Sequence, residues 1–153
     1  MLSDSASLSM RNRFLTKGTC YSRGNQGWYN LNTKRYYFRS SWEVNYARYL
    51  EWLLSRKDIK SWEYEPDVFW FEEIRRGVRS YLPDFKITNN NGTIEYHEVK
   101  GWMDPKSVTK IKRMAKYYPK TKLIVIGKEE YKAVVKFEKL FPDATVESTK
   151  AKV

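Results

Sequence analysis

A short turn between two strand-like segments constrains the fold of this chain most strongly. The segment Tyr81-Leu82-Pro83-Asp84-Phe85 begins one predicted strand, and residues 93–100 form the next. Between them lies Asn89-Asn90-Asn91-Gly92, whose glycine suits the positive φ that a hairpin turn requires. We therefore predict an antiparallel hairpin whose two strands are neighbours in one sheet.

This hairpin is predicted to gather acidic and basic side chains on one patch. Side chains alternate between the faces of a sheet, so Glu98 and Lys100 point the same way and Val99 points the other way. The hairpin can bring Asp84 beside them. Two carboxylates at close range repel each other unless a cation neutralises them, and a hard divalent cation does so. The patch is therefore a candidate metal site.

Other copies of the same short motifs lack this arrangement. Pro-Asp also occurs at Pro66-Asp67 and Pro142-Asp143, and Glu-x-Lys also occurs from Glu130 to Lys132. The latter lies in a segment predicted to be helical, where a two-residue offset points the side chains to different sides. Neither of the other Pro-Asp pairs is followed by a strand that carries Glu-x-Lys. Only the predicted hairpin combines both motifs on adjacent strands.

Histidine and cysteine are too scarce to build most transition-metal sites. Cys20 is the only cysteine and His97 the only histidine, which excludes an intrachain disulfide, a thiolate zinc site and a histidine-based triad. Carboxylates and carbonyls remain as ligands, and these suit Mg²⁺ or Mn²⁺. His97 points to the face opposite Glu98, so we predict a packing or surface role for it rather than catalysis.

The charge of the chain indicates a polyanionic partner, and we expect this partner to be DNA. The formal net charge is +11 and the pI is about 9.6. No acidic residue occurs from Ser5 to Trp42, where basic residues are interleaved with aromatic ones. Residues 1–37 are predicted to form a basic, loop-rich arm that ends in a short strand near Arg35 to Phe38 and contacts phosphates and bases. Packing of the aromatic rings onto the domain is the alternative interpretation.

Residues 38–153 are predicted to form a single domain. No apolar run approaches the length of a membrane span, and the Ser-rich N-terminal residues lack the apolar block of a secretory signal, so we expect an intracellular protein and no membrane partner.

Periodicity and capping residues predict a helix from Ser40 or Ser41 to about Arg56, a strand over 60–71, a helix over 105–118 capped by Asp104, a strand over 122–127 buried on both faces, and a helix over 128–141.

Four segments together resemble a known nuclease family. In order they are Phe38-Arg39-Ser40-x-x-Glu43, Trp62-Glu63-Tyr64-Glu65, Pro83-Asp84-Phe85 and Glu98-Val99-Lys100-Gly101. The last two resemble the PD-(D/E)xK nuclease signature. The order and spacing of all four resemble the phage endonuclease I type of Holliday-junction resolvase within that superfamily. The resemblance extends over about residues 38–101.

The resemblance implies a fold, an activity and a set of site residues. The fold is an α/β, restriction-endonuclease-like core, with a mixed, mostly antiparallel sheet flanked by helices. The activity is Mg²⁺-dependent (or Mn²⁺-dependent) cleavage of DNA phosphodiester bonds, structure-selective for branched DNA, by a homodimer or higher homo-oligomer. The implied catalytic residues are Glu43, Asp84, Glu98 and Lys100. The implied metal ligands are Asp84, Glu98, the Val99 carbonyl and Glu43. A phage origin, with the host cytoplasm as the location, is implied in the same way.

Glu43 has two competing interpretations. Ser40-x-x-Glu43 is a capping box, which would explain this glutamate by helix stability alone. The resemblance instead places its carboxylate in the active site. Glu63 and Glu65 are second-line candidates, because either can reach the site only if its strand turns that face inward.

The residues predicted to contact DNA are basic and lie in the arm, at the start of the domain and on the helix after Lys100. They are Arg11, Arg13, Lys17, Arg23, Lys34, Arg35, Arg39, Lys106, Lys110 and Arg113. Two other functions remain open. The first is a sequence-specific, homing-type endonuclease of the same fold, whose arm reads bases in a groove. The second is a DNA-binding module without catalytic activity.

Overall fold

The computed structural model describes residues 26–147 of the chain. It contains three helices and nine strands. In chain order the elements are β1 (Gly27–Leu31), β2 (Lys34–Phe38), α1 (Ser41–Ser55), β3 (Ser61–Tyr64), β4 (Phe69–Trp70), β5 (Ser80–Tyr81), β6 (Phe85–Thr88), β7 (Ile94–Val99), α2 (Pro105–Tyr117), β8 (Lys122–Ile126), α3 (Lys128–Val135), one 3₁₀ turn (Glu138–Leu140) and β9 (Ala144–Val146).

A four-stranded sheet in the order β3-β6-β7-β8 forms the centre of the fold. Its pairs are antiparallel except β7 with β8, which run parallel. The predicted hairpin is confirmed as β6 and β7, and Gly92 closes its turn at a φ of +85°, a conformation that a glycine adopts without a Cβ clash. The fold is therefore mixed α/β with mostly antiparallel pairing, as the sequence predicts.

The two faces of this sheet pack against different elements. On β8, Ile124 and Ile126 join the main core with α1, whereas Leu123 packs with Met114 of α2 and with Phe71 and Tyr81. This split follows from the alternation of strand side chains between the two faces. The two-stranded sheet β4-β5 and α2 thus cover one face, and α1 covers the other.

Helix α1 is built as its sequence predicts. The Ser40 hydroxyl caps it by accepting the N–H of Glu43, and Val44, Ala47 and Leu50 are almost fully buried in the main core. Burying three adjacent turns of apolar side chains fixes the helix on the sheet. Its first turn therefore has a fixed position relative to the strand ends.

The prediction of a loop-rich arm is wrong for residues 27–37. This stretch forms the antiparallel hairpin β1-β2, and β9 pairs with the outer side of β1. Tyr29, Leu31 and Phe38 point inward and belong to the main core. Their burial stabilises strands here, although nearby glycines favour a loop. Asn32 makes the tight turn at a φ of +57°, which asparagine tolerates. The predicted strand ending at Phe38 is confirmed as β2, and the rest of the arm, residues 1–25, lies outside the described residues.

Three other predicted elements are corrected. The strand predicted over 60–71 is interrupted after Tyr64, because Glu65 takes a positive φ of 48° before Pro66 and the chain leaves the sheet. The helix predicted over 128–141 ends at Val135 and continues only as a 3₁₀ turn. The sequence predicts that strand β8 is buried on both faces, but within residues 26–147 it is an edge strand with only partly buried central residues.

Among the described residues, no helix has the length and apolar character that crossing a membrane would require.

Candidate functional site

The ends of β6 and β7 bring Asp84 and Glu98 together. Phe85 pairs with His97, so Asp84 and Glu98 stand one residue further along their strands, on the same face of the sheet. The N–H of Val99 donates to Oδ2 of Asp84 at 2.8 Å, which holds this carboxylate against the end of β7. The predicted hairpin therefore produces the predicted juxtaposition of the two carboxylates.

Asp84 is a buried carboxylate surrounded by other carboxylates. Only 8% of its surface is exposed. Burial raises the pKa of Asp84 well above its usual range, and the charges of Glu98 and Glu43 raise it further, as does Glu65. The Val99 N–H acts in the opposite direction. Charges influence one another this strongly only at short range in a poorly hydrated site. Glu43, Glu65, Asp84 and Glu98 are termed the carboxylate cluster below.

Glu98 is held by a tyrosine that the sequence reasoning missed. The Tyr81 hydroxyl donates to Oε2 of Glu98 at 2.7 Å. Burial raises the pKa of Glu98, while the Tyr81 hydrogen bond and the charges of Lys100 and Lys110 lower it. Burial and the Glu98 charge also raise the pKa of Tyr81, so its hydroxyl keeps its proton and remains a donor. The signal available in the sequence is a tyrosine three residues before Asp84, at the end of a strand.

Glu43 makes the contacts of a helix cap and also lies beside the site. Its Oε1 accepts the Ser40 hydroxyl at 3.3 Å, and its Oε2 accepts the Arg39 N–H at 3.1 Å. The Tyr64 hydroxyl donates to the same Oε2 at 2.7 Å. The carboxylate is buried, and its charge raises the pKa of Asp84. The two interpretations of Glu43 are therefore compatible, because a carboxylate has about four acceptor directions.

Glu65 joins the carboxylate cluster, whereas Glu63 does not. The N–H of Glu65 donates to the Asp84 carbonyl at 2.8 Å, and its positive φ turns the chain at this point. Burial raises the pKa of Glu65, the Arg39 guanidinium lowers it, and the charge of Glu43 raises it again. Glu63 is exposed, and its nearest cation is Lys86 at 4.0 Å. A left-handed conformation at a non-glycine residue beside a candidate site is typical of strain stored at functional positions.

Arg39 partly neutralises the carboxylate cluster from the solvent side. Its Nη1 lies 3.0 Å from Oε1 of Glu65, and its side chain is largely exposed. That Oε1 is buried and accepts no well-directed hydrogen bond from the described residues. An underused acceptor of this kind is uncommon in folded proteins and suits a ligand that is itself positively charged.

Lys100 follows Val99 at the end of β7 and stands beside the carboxylate cluster. Its ammonium forms an ion pair with Asp104, with 3.2 Å between Nζ and Oδ2. Its charge is also among those that lower the pKa of Glu98. The site therefore joins four carboxylates with one half-buried ammonium.

The donor set of the carboxylate cluster fits a hard divalent cation by its chemistry. All of its donors are oxygen atoms, burial and the charges of the neighbouring carboxylates raise the pKa of Asp84, and Oε1 of Glu65 has an ion-pair partner in Arg39 but no well-directed hydrogen bond. Between residues 26 and 147, however, no group of three or more Asp, Glu, His or Cys side chains has the spacing of a bound metal. A pair of these carboxylates with water molecules remains as the donor set, since Mg²⁺ is usually held by only one or two protein carboxylates.

His97 has the packing role that the sequence predicts. It is buried, and its Nδ1 lies 2.6 Å from the Tyr46 hydroxyl on α1. Its Nε2 lies 2.9 Å from Oε1 of Glu95. Burial lowers the pKa of His97 below its usual range. These contacts are on the α1 side of the sheet, away from Glu98.

The basic residues predicted to contact DNA from residues 1–37 differ in their surroundings. Arg11, Arg13, Lys17 and Arg23 lie outside the described residues. Lys34 is exposed on β2. Arg35 pairs with Glu147, with 2.6 Å between Nε and Oε1, and its guanidinium lies over the ring of Trp28. Arg35 is thus engaged within the protein, whereas Lys34 presents its charge to solvent.

On α2, two of the three predicted residues face outward. Lys106 is exposed, and Lys110 is half-buried with its Nζ 5.9 Å from the centre of the Tyr81 ring. Arg113 instead donates a hydrogen bond to the Val78 carbonyl and joins α2 to the loop before β5. Lys106 and Lys110 are one helical turn apart and share a face.

The chemistry of the site rests on its own geometry, because similarity to characterised proteins adds nothing here. Comparisons with protein-family models, with curated proteins and with solved structures give no match for this chain.

Proposed function

We propose that this protein is a Mg²⁺-dependent (or Mn²⁺-dependent) endodeoxyribonuclease that hydrolyses phosphodiester bonds in branched DNA. The core around the site would be of the restriction-endonuclease-like, PD-(D/E)xK type. One observation carries the proposal: the buried carboxylate of Asp84 and the partly buried carboxylate of Glu98 converge at the end of a hairpin, beside Lys100. Burying repelling charges costs stability, so their retention at one place favours a ligand-binding role.

Asp84, Glu98, Glu43 and the Val99 carbonyl would hold the metal. When bound, such a cation polarises the scissile phosphate and lowers the pKa of a bound water. Among the chain's own groups, Tyr81 orients Glu98 and the Val99 N–H orients Asp84. These hydrogen bonds fix the donor oxygens before any ligand arrives.

Lys100 would act on the phosphate rather than on the metal. Its ammonium supplies positive charge where negative charge develops on the phosphate oxygens during attack. The Asp104 partner keeps the side chain at the end of β7. Lys106 and Lys110 extend this positive charge along α2 and would contact the DNA backbone.

A homodimer or higher homo-oligomer belongs to the same proposal. A duplex has two strands to cut, and one carboxylate cluster per chain provides one cut. An intracellular location belongs to the proposal as well. Sedimentation of the purified protein, alone and with DNA, measures the number of chains per complex.

The decisive experiment gives purified protein Mg²⁺ with two labelled substrates in one tube, a four-way junction and a linear duplex of matched sequence. We expect cleavage of the junction and none of the duplex, and loss of cleavage when EDTA or Ca²⁺ replaces Mg²⁺. Cleavage of neither substrate despite tight binding would contradict the proposal. A screen over long genomic DNA then separates a sequence-specific, homing-type enzyme from a binding module without catalytic activity.

A pair of matched lysine variants tests the assignment of the site. Lys100→Ala should abolish cleavage and leave junction binding largely intact, because it removes charge from the reaction centre alone. Lys132→Ala is the control, since Lys132 belongs to the second Glu-x-Lys motif but lies on the exposed side of α3. Cleavage by the Lys100→Ala protein at the wild-type rate would show that the site lies elsewhere.

A further inference from the structure

Trp102 is a large apolar side chain that the fold leaves in solvent beside the carboxylate cluster. It is 68% exposed and comes two residues after Lys100. An exposed tryptophan ring offers more apolar contact area than other side chains do, and tryptophan is enriched at binding interfaces. The exposed ring of Trp102 is therefore a candidate binding surface.

The loop that carries Trp102 is fixed at both ends. At its start, the N–H of Lys100 donates to the Ile126 carbonyl at 3.0 Å. At its end, Asp104 caps α2 by accepting the N–H and the hydroxyl of Ser107, both at 2.9 Å. The ion pair between Lys100 and Asp104, 3.2 Å long, closes the loop. The backbone that carries the ring therefore loses little conformational freedom when the ring binds a partner.

The surface next to Trp102 is positively charged. From Lys100 to Tyr117 six residues are basic and only Asp104 is acidic. Lys106 begins a basic face of α2 that Lys110 continues, and the Nζ of Lys110 reaches the ring of Tyr81, the partner of Glu98. A basic face thus runs from the exposed ring to the carboxylate cluster. An aromatic ring beside basic side chains complements a nucleic acid strand, which offers base faces and phosphates.

Other exposed tryptophans lack this combination. Trp70 is 57% exposed, but Glu72 and Glu73, which repel phosphates, follow it directly, and Arg75, Arg76 and Arg79 come only after them. Trp28 is exposed on β1, but the Arg35 guanidinium lies 3.8 Å from the centre of its ring and covers it. Among the described tryptophans, Trp102 therefore pairs an exposed ring with a basic neighbourhood.

We propose that Trp102 stacks on an unpaired or partly unstacked nucleobase of the DNA and thereby selects branched DNA over continuous duplex. This inference rests on the proposed function, since it names the substrate feature that the same site reads. A branch point exposes base faces that a continuous duplex buries in its stack. The ring gains contact only where such a face is available, so it discriminates by structure rather than by sequence.

The test measures contact directly and does not depend on cleavage. A four-way junction carries 5-iododeoxyuridine at the branch point, or in a paired arm as the control. The full-length protein is irradiated with it in EDTA, and the crosslinked residue is identified by mass spectrometry. We expect a crosslink at Trp102 with the branch-point probe only. Binding of the unmodified junction and of the matched linear duplex is measured in parallel.

Three variants sharpen the result. Trp102→Ala should abolish the branch-point crosslink and weaken junction binding about tenfold, with duplex binding unchanged. Trp102→Phe should retain part of both, because it preserves an aromatic face. Trp70→Ala is the matched control and should behave as the wild type. Because both tryptophans are exposed, these substitutions leave the buried core intact.

The outcomes separate this inference from the proposed function. Wild-type protein that crosslinks through Trp102 but never cuts would support the inference and contradict the nuclease. Wild-type cleavage of the junction with an unchanged Trp102→Ala crosslink and affinity would overturn the inference alone. A Trp102→Ala protein with altered oligomeric mass in sedimentation but unchanged crosslinking would also overturn it, because a second copy of the chain then covers the ring. Failure to bind any DNA would contradict both.

Discussion

Tyr81 is expected to control the pH at which one site carboxylate becomes available. Its hydrogen bond to Glu98 opposes the effect of burial, which raises the pKa of that carboxylate. In Tyr81→Phe the pKa of Glu98 rises further, so a higher pH is needed to ionise it for metal binding. The acidic limb of the pH–rate profile for cleavage should therefore move to higher pH, and the free energy of unfolding should fall by about 1 kcal/mol.

Tyr96→Phe is the matched control for this prediction. The Tyr96 hydroxyl donates to Oδ2 of Asp67 at 2.6 Å, so the substitution also removes a tyrosine–carboxylate hydrogen bond. Its carboxylate partner is not part of the carboxylate cluster, and the acidic limb should stay in place. Equal shifts in both variants would contradict a specific role for Tyr81.

Asp84 is expected to lower the stability of the metal-free protein at neutral pH. Its pKa is raised in the folded state above the ordinary value of 3.8, chiefly by burial and by Glu98. The folded state therefore binds the proton of Asp84 more tightly than the unfolded state does. The stabilisation from this proton is complete below pH 3.8 and is lost as the pH rises through the folded-state pKa. Asp84→Asn removes the charge and keeps an acceptor for the Val99 N–H. It should be about 1 kcal/mol more stable than wild type at pH 7 in EDTA.

Thermal unfolding across pH, with and without Mg²⁺, measures this effect. The stability difference between Asp84→Asn and wild type should shrink towards pH 4, where the wild-type group takes up its proton. Mg²⁺ should raise the Tm of the wild type and have little effect on the variant, because the ion binds the folded state through this carboxylate. A stability difference that is constant across pH would show that the charge of Asp84 is not its cause.

At the scale of elements, Glu43 in the first turn of α1 is expected to stabilise the helix through its hydrogen bonds and to bind the metal through its charge. The carbonyl oxygen of glutamine can replace Oε2 of Glu43, which accepts the Arg39 N–H and the Tyr64 hydroxyl, and the glutamine amide can donate to the Ser40 hydroxyl where Oε1 accepts from it. Metal binding, by contrast, needs the charge. Glu43→Gln should change the free energy of unfolding by less than about 1 kcal/mol and lower cleavage by at least about 100-fold.

Ser40→Ala gives the opposite pattern. It removes the cap that accepts the Glu43 N–H, which should cost about 1 kcal/mol, and it leaves the carboxylate charge in place. Cleavage per folded molecule should stay within a few-fold of wild type. Chemical denaturation and single-turnover cleavage of both variants separate the two roles. Loss of stability without loss of activity in Glu43→Gln would reduce Glu43 to a cap.

The local elements that carry Asp84, Glu98 and Lys100 could be predicted because their signals are short-range. A glycine turn between two alternating segments fixes the register of β6 and β7, and a serine cap fixes the start of α1. The inward turn of Glu65 could not be predicted, since its positive φ depends on the chain leaving the sheet before Pro66. The pairing of β1 with β9 could not be predicted either, because it joins segments more than a hundred residues apart and leaves no local signal in the sequence.

At the scale of the whole molecule, an acidic site lies in a strongly basic chain. The carboxylate cluster would repel DNA phosphates on its own, so the net charge of +11 has to bring the DNA to it. Positive charge is available in two places: at Arg11, Arg13, Lys17 and Arg23 in the sequence before β1, and at Lys106 and Lys110 on α2. If both bind phosphates, each should contribute separately to the salt dependence of binding.

Charge-removal variants of the full-length chain measure these contributions. In one variant the four N-terminal basic residues are changed to Gln, and in another the two lysines of α2 are. In both, the slope of log K against log salt concentration should become shallower by about 0.9 for each phosphate that the protein no longer neutralises. Lys57→Asn/Lys60→Gln is the control, because these lysines lie by the hairpin turn, at the opposite end of the sheet from Asp84. The N-terminal variant should also cut at the wild-type rate once saturated with DNA, since it leaves the carboxylate cluster unchanged. An unaltered slope in that variant would show that its basic residues do not bind DNA and that α2 alone guides the substrate to the site.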